Sequence, residues 1–153
     1  MKILVVFMSF LSAAVFAATP YEISCGVTKQ LTQSDYKLTA SVKGMVTGTA
    51  DEGFLLEDYT VKYTVYSTWD GKDEEGSKEE IKGRRLENDE KYSGTKYKDH
   101  VRFTLPSKVG KVELIYPAKL GNKKKFTAHL IFTYIDDHFG GTAHVHCKRT
   151  KAN

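Results

Sequence analysis

No GxSxG, HExxH or comparable catalytic signature occurs anywhere in this chain of 153 residues. A serine or cysteine nucleophile needs a histidine and an orienting carboxylate within reach. With no local pattern to place them, the sequence points away from an enzyme. Charge of one sign is not in large excess either: 23 Lys and Arg against 19 Asp and Glu give a net charge of +4, too mild to argue for a nucleic-acid partner. Helical periodicity is nearly missing, and cysteine is used only twice, at Cys25 and Cys147.

A long apolar run is also lacking. The first seventeen residues, MKILVVFMSFLSAAVFA, place one cation at Lys2 ahead of an apolar run over residues 3–11 and a small-residue end at Ala17. That is the layout of a secretory signal peptide, and the run is short of the roughly 20 residues a bilayer span requires. Thr19 and Pro20 break it at once. Cys25 lies eight residues beyond Ala17, too far for lipid anchoring. Residues 1–17 are therefore expected to be a signal peptide and residues 18–153 a single exported β-domain. Removing seventeen residues from 153 leaves 136, enough for one domain with a core.

What is present is alternation of period two. Residues 34–44 set Tyr36, Leu38, Ala40 and Val42 against Asp35, Lys37, Thr39, Ser41 and Lys43, and residues 57–69 set Tyr59, Val61, Tyr63 and Val65 against Asp58, Thr60, Lys62 and Thr64. Shorter stretches repeat the pattern at Tyr21, Ile23, Cys25 and Val27; at Val101, Phe103 and Leu105; at Val112, Leu114 and Tyr116; and at Phe126, Ala128, Leu130, Phe132 and Tyr134. Pro106 and Pro117 mark strand ends. With turns at residues 51–53, 120–122 and 140–141, the chain is predicted to be all-β, a single antiparallel domain of about seven to eight strands forming a barrel or a sandwich. The charged faces carrying Lys37, Lys43, Asp58 and Lys62 exclude a transmembrane barrel.

Residues 70–91 are the exception. They are nearly all charged, and Ser77 and Glu80 form a capping-box pattern ahead of Ile81, although Gly83 weakens such a helix. A solvated excursion or a polar edge hairpin is the competing and stronger reading. A calcium loop is discounted, because Lys72 and Glu75 stand where an EF-hand needs an oxygen ligand and a glycine.

The alternation decides what the cysteines face. Cys147 shares the apolar side of GTAHVHC with Ala143 and Val145, and Cys25 shares that of the first strand with Ile23 and Val27. An exported chain with two inward cysteines is expected to pair them, either closing a barrel between first and last strands or linking the layers of a sandwich, with closure favoured. A bond across 122 positions contributes about 4 to 5 kcal/mol in the chain-entropy picture.

The histidines take the wet face. A hairpin around residues 136–140 would set His129 opposite His146, or opposite Lys148 and diagonal to His146, with His144 on the same face. His129, His144 and His146 are the candidate metal ligands, suited to zinc or copper with a fourth position open; no other cofactor is implied. A decorated wet face is the plainer reading. Tyr59, Tyr63 and Tyr116 point inward and either line a ligand cavity or serve as core residues. Asp136, Asp137 and His138 share one hairpin loop and are candidate loop residues. The function expected is that of a non-catalytic binding or interaction module for an unknown partner, a protein or a small ligand, with no nucleic acid and no membrane span after signal removal. The alternatives are transition-metal binding on the His-rich face and inhibition of a secreted hydrolase; lipocalin-like ligand binding and surface adhesion are suggested by shape alone.

Overall fold

The computed structural model describes residues 19–30, 36–89, 97, 99–135 and 139–151. The proposed signal peptide and Asp136, Asp137 and His138 lie outside them. Eight strands form one antiparallel sheet: β1 (Tyr21–Gln30), β2 (Tyr36–Thr49), β3 (Gly53–Trp69), β4 (Lys72–Glu87), β5 (His100–Leu105), β6 (Lys111–Pro117), β7 (Lys125–Ile135) and β8 (Phe139–Lys151). The spatial order is β4-β3-β2-β1-β8-β7-β6-β5, so every strand pairs with its sequence neighbours except β4 and β5, which are the two ends of the sheet, and β1 also pairs with β8. Barrel closure is therefore the arrangement found, in an up-and-down order.

Cys25 and Cys147 are directly opposite in the β1–β8 ladder and are joined by a disulfide, with Cα atoms 3.9 Å apart. That is tighter than the roughly 4.4 Å lower end usual for bridged pairs. Both sulfurs point into the barrel, as alternation required, and both residues are buried.

The inward residues of all eight strands merge into one apolar cluster, with Leu38, Val42, Leu56, Val61, Phe103, Leu114, Leu130 and Phe132 among its members. Each fully buried Leu or Phe of this kind stabilises the fold by about 1.5–3 kcal/mol. Tyr59, Tyr63 and Tyr116 belong to the same cluster. Tyr63 stacks edge-on against Phe132 at 5.1 Å and donates its hydroxyl to Glu79 at 2.8 Å. The Tyr116 hydroxyl bonds that of Tyr21. Tyr59 lies across Gly83, its cross-strand partner, where a Cβ would sit 2.3 Å from the phenolic oxygen. Only glycine admits the ring at that position.

One bulge reverses the alternation. Phe54 and Leu56 point inward at even positions, whereas Tyr59, Val61, Tyr63 and Val65 do so at odd ones. The change falls where the β2–β3 register shifts between Lys43 and Met45, and Asp58 there takes a φ of 43°. Because of this switch, β3 begins at Gly53 rather than near residue 57, the start that alternation alone suggests.

The charged stretch is a strand. β4 runs through Ser77 and Glu80, so the capping-box pattern starts no helix, and the edge-hairpin reading is the one that matches. Ser77, Glu79 and Ile81 are more buried than Lys78, Glu80 and Lys82, the wet side of an edge strand. Glu80 is shared by Lys62 at 3.1 Å and Lys82 at 2.9 Å. Pairing with β3 supplies what helix propensity could not, since β3 offers a complete row of backbone partners.

β4 and β5, the two ends of the sheet, meet through a few hydrogen bonds rather than a ladder. At one end the Asp89 N–H donates to Arg102 O at 2.7 Å, and the Asp89 carboxylate accepts Arg102 Nε at 3.1 Å and Thr104 Oγ1 at 2.6 Å. At the other, Glu79 accepts Ser107 Oγ at 2.6 Å and the Lys108 N–H at 2.8 Å. Two carboxylates thus clasp the seam of a nearly closed barrel.

Candidate functional site

The outer face of β7 and β8 holds the three histidines singled out in the sequence. The β7–β8 register sets His129 directly opposite His144, and His146 opposite Thr127. Neither expected pairing of His129, with His146 or with Lys148, is the one observed. The displacement arises because β8 already begins at Phe139, so Gly140 and Gly141 are strand residues rather than a turn, and because the register shifts between Phe132 and Ile135. The three histidines still share a face, as any slip by two residues preserves.

Their surroundings differ. The rings of His129 and His144 are 4.8 Å apart and edge-on. His146 is exposed, between Thr127 of β7 and Gly26 of β1. Two aromatic residues join the pair from outside the expected set. Tyr97 sits 4.6 Å from His129, and His100 lies 5.7 Å from Tyr97 and 5.9 Å from His129. Tyr97 (5 % exposed) and Ile115 (0 %), the β6 partner of His129, are buried yet lie outside the main core cluster. They form a small second layer on the outside of the sheet. His100 was legible in principle, since Val101, Phe103 and Leu105 point inward and so place it outward. Tyr97 carried no such signal, because it precedes β5 rather than lying in its alternation.

Among the described residues, no group of three His, Cys, Asp or Glu could hold a metal ion. The arrangement offers two directly opposed imidazoles, with His100 5.9 Å from His129 and His146 two residues farther along β8. Glu113, only 6 % exposed although outward on β6, is ion-paired with Lys111 Nζ at 3.0 Å and Arg102 Nε at 3.5 Å. This ion-paired network connects the outer layer to the Asp89 clasp.

A row of outward residues crosses four strands below the histidines. Ser24 of β1 pairs with Lys43 of β2 on one side and with Lys148 of β8 on the other, and Lys148 pairs with Lys125 of β7. Inside the wall behind them, Arg149 stacks over the Tyr21 ring at 4.9 Å and donates to Gly121 O at 2.6 Å. Burial is the main cause that pushes the Tyr21 hydroxyl above its ordinary value, outweighing Tyr116 and Arg149, which act the other way. Burial also drives the large rise at Tyr116.

Fold and face together define an eight-stranded up-and-down β-barrel with a packed interior, stapled between its first and last strands. No protein family, curated protein or solved structure matches the chain. Among the described residues no helix is long and apolar enough to cross a membrane.

Proposed function

We propose that this chain is an exported, non-catalytic binding module that works through the outer face of β1, β7 and β8. The observation behind this reading is the packed interior. Tyr59, Tyr63 and Tyr116, the residues that would line an internal ligand site, are buried in one continuous cluster with Phe103, Leu114 and Phe132. A ligand held inside would need a pocket of about 300 Å³ or more in that space. Contact with a partner then falls to the wall, where Ser24, Gly26, Thr127, His146 and Lys148 are outward. Export is supported by the leader-like first seventeen residues and by a disulfide, which persists in oxidising compartments.

Two experiments test this. An apolar fluorescent probe should show no saturable one-to-one binding to the native protein; such binding would revive the internal cavity. Peptide, glycan and lipid arrays should then be probed with the native protein and with Thr127→Glu combined with His146→Glu, two wet-face positions that leave the core intact. A ligand captured by the native protein and lost by the variant supports the outer face. Equal capture, or none on any array at about 10 μM protein, where typical weak recognition is still visible, counts against it.

A second reading, zinc or copper binding, draws on the direct opposition of His129 and His144. Two imidazoles make a weak site, and its test is given with the predictions below.

A further inference from the structure

The cations of this barrel fall into two sets. Around β3 and β4 most are paired: Lys62 and Lys82 share Glu80, Lys37 meets Asp73 at 2.7 Å, Lys78 meets Glu75, and Arg85 meets Glu87 at 3.4 Å, while Lys72 and Arg84 make no ion pair among the described residues. Along β7, β8 and the β6–β7 turn, by contrast, Lys119, Lys123, Lys124, Lys125 and Lys148 make no ion pair among the described residues, and all five are exposed. Lys125 and Lys148 stand directly opposite each other on the wet face. Like charges in that relation destabilise a sheet. The β3–β4 half shows that this chain places carboxylates beside lysines elsewhere; here it leaves the repulsion in place.

The geometry of the row points to what relieves it. Strands lie about 4.8 Å apart, so Lys148 and Lys125 are roughly 5 Å apart at the backbone and Lys43 is about 10 Å from Lys148 on the other side. Lys123 and Lys124 continue the row into the turn. The bordering carboxylates, Glu22 and Asp58, line the shallow depression between Lys43 and Lys148, and neither makes an ion pair among the described residues. Between the ammonium groups stand hydroxyls at Ser24 and, one row up, Ser41 and Thr127.

We infer that the Lys43–Ser24–Lys148–Lys125 row is a docking surface for a linear acidic polysaccharide, with successive carboxylates or sulfates meeting successive ammonium groups. Resting on the outer-face reading above, this names the partner's chemistry. Ammonium and acid groups form charge-assisted hydrogen bonds, and the intervening hydroxyls match those of sugars. A flexible chain can follow a convex wall across strands, where a flat bilayer touches only a tangent. Among the described residues the exposed large apolar one is Val109, in the β5–β6 turn and not in the row, so the row lacks the apolar anchor of a membrane surface. Base stacking, the usual mark of single-stranded nucleic-acid grooves, finds no aromatic ring at Lys43, Ser24, Lys148 or Lys125 themselves.

The test uses dextran sulfate as probe, with uncharged dextran, phosphatidylglycerol vesicles and a single-stranded oligonucleotide as comparison arms. Saturable binding to dextran sulfate at 50 mM salt should weaken on the order of tenfold by 200 mM, as a few released counterions require. Uncharged dextran should not bind. Lys125→Glu combined with Lys148→Glu should lower affinity more than tenfold, and Lys62→Glu with Lys82→Glu, the same change in net charge on the mostly paired half, less than threefold. The single change Lys125→Glu supplies a readout independent of folding failure: it turns a like pair into an opposite pair, so the melting temperature should rise by about 1–3 °C while binding falls. Equal losses in the two double variants would reduce the effect to bulk charge, and tighter binding to vesicles or oligonucleotide would assign the row to those partners; either overturns the inference. So does failure to bind dextran sulfate at 50 mM salt. If that failure comes while an array ligand is still lost in the Thr127→Glu, His146→Glu variant, the outer face stands and only the polysaccharide falls.

Discussion

Strands β1 and β8 meet through a hydrogen-bonded ladder and the Cys25–Cys147 bond, whereas β4 and β5 meet through Asp89, Glu79 and the groups that donate to them. One junction is covalent and apolar, the other ionic and polar. The difference follows from what each strand offers. β1 and β8 carry inward cysteines and regular alternation, and they form a ladder from Tyr21–Lys151 to Gly26–His146. β4 is a charged edge strand, rich in the Lys and Glu residues that keep sheet edges from pairing with other chains. The barrel therefore has a strong closure insensitive to pH and a weak one that depends on two carboxylates.

The largest expected effect is at the strong closure. Cys25→Ala with Cys147→Ala should lower stability by about 2–5 kcal/mol in urea unfolding, because the unfolded chain regains the freedom of a loop spanning 122 positions. A loss under about 1 kcal/mol would mean that the ladder alone makes the junction strong.

Asp89→Ala comes next. It removes the acceptor of Arg102 and Thr104, and a loss of about 1–2 kcal/mol is expected, discounted for the partial exposure of the ion pair. Hydrogen exchange should speed in β4 and β5 and not in β1 and β8; uniform acceleration would erase the contrast between the junctions.

Glu79 gives the weak closure a pH signature. Burial alone would raise its pKa, but hydrogen bonds from Ser107, the Lys108 N–H and Tyr63 outweigh it and hold the carboxyl below the ordinary 4.5. A depressed folded pKa contributes stability that is present above 4.5 and is lost as pH falls through that value toward the folded pKa. Glu79→Gln should cost about 1 kcal/mol near neutral pH and flatten the acid limb of stability below 4.5. An unchanged acid limb would place the acid-sensitive groups elsewhere.

The smallest effect expected is at the histidines. With only His129 and His144 in opposition, zinc or copper should raise the melting temperature by about 1–2 °C at pH 7.5, and the shift should shrink on acidification, because protons compete with metal for imidazole nitrogen. His129→Ala should remove the shift. A rise above about 8 °C would reveal a fuller ligand set than this pair.

Much of this was written in the residues themselves. Period-two alternation identified most of the strands, the inward cysteines and the outward side taken by the histidines, because which side of a strand a residue faces is a local property. The partner it faces is not. A slip of two residues leaves every side chain on its own face, so alternation could not separate His129 opposite His144 from His129 opposite His146 or Lys148. That choice was made by the register shift near Phe132 and the early start of β8. For the same reason the reversal at Asp58, the strand formed by the charged stretch, the Glu79 and Asp89 clasps, and Tyr97 lying over His129 belong to tertiary structure: each rests on backbone or side-chain partners distant in sequence, which no periodicity within one segment can name.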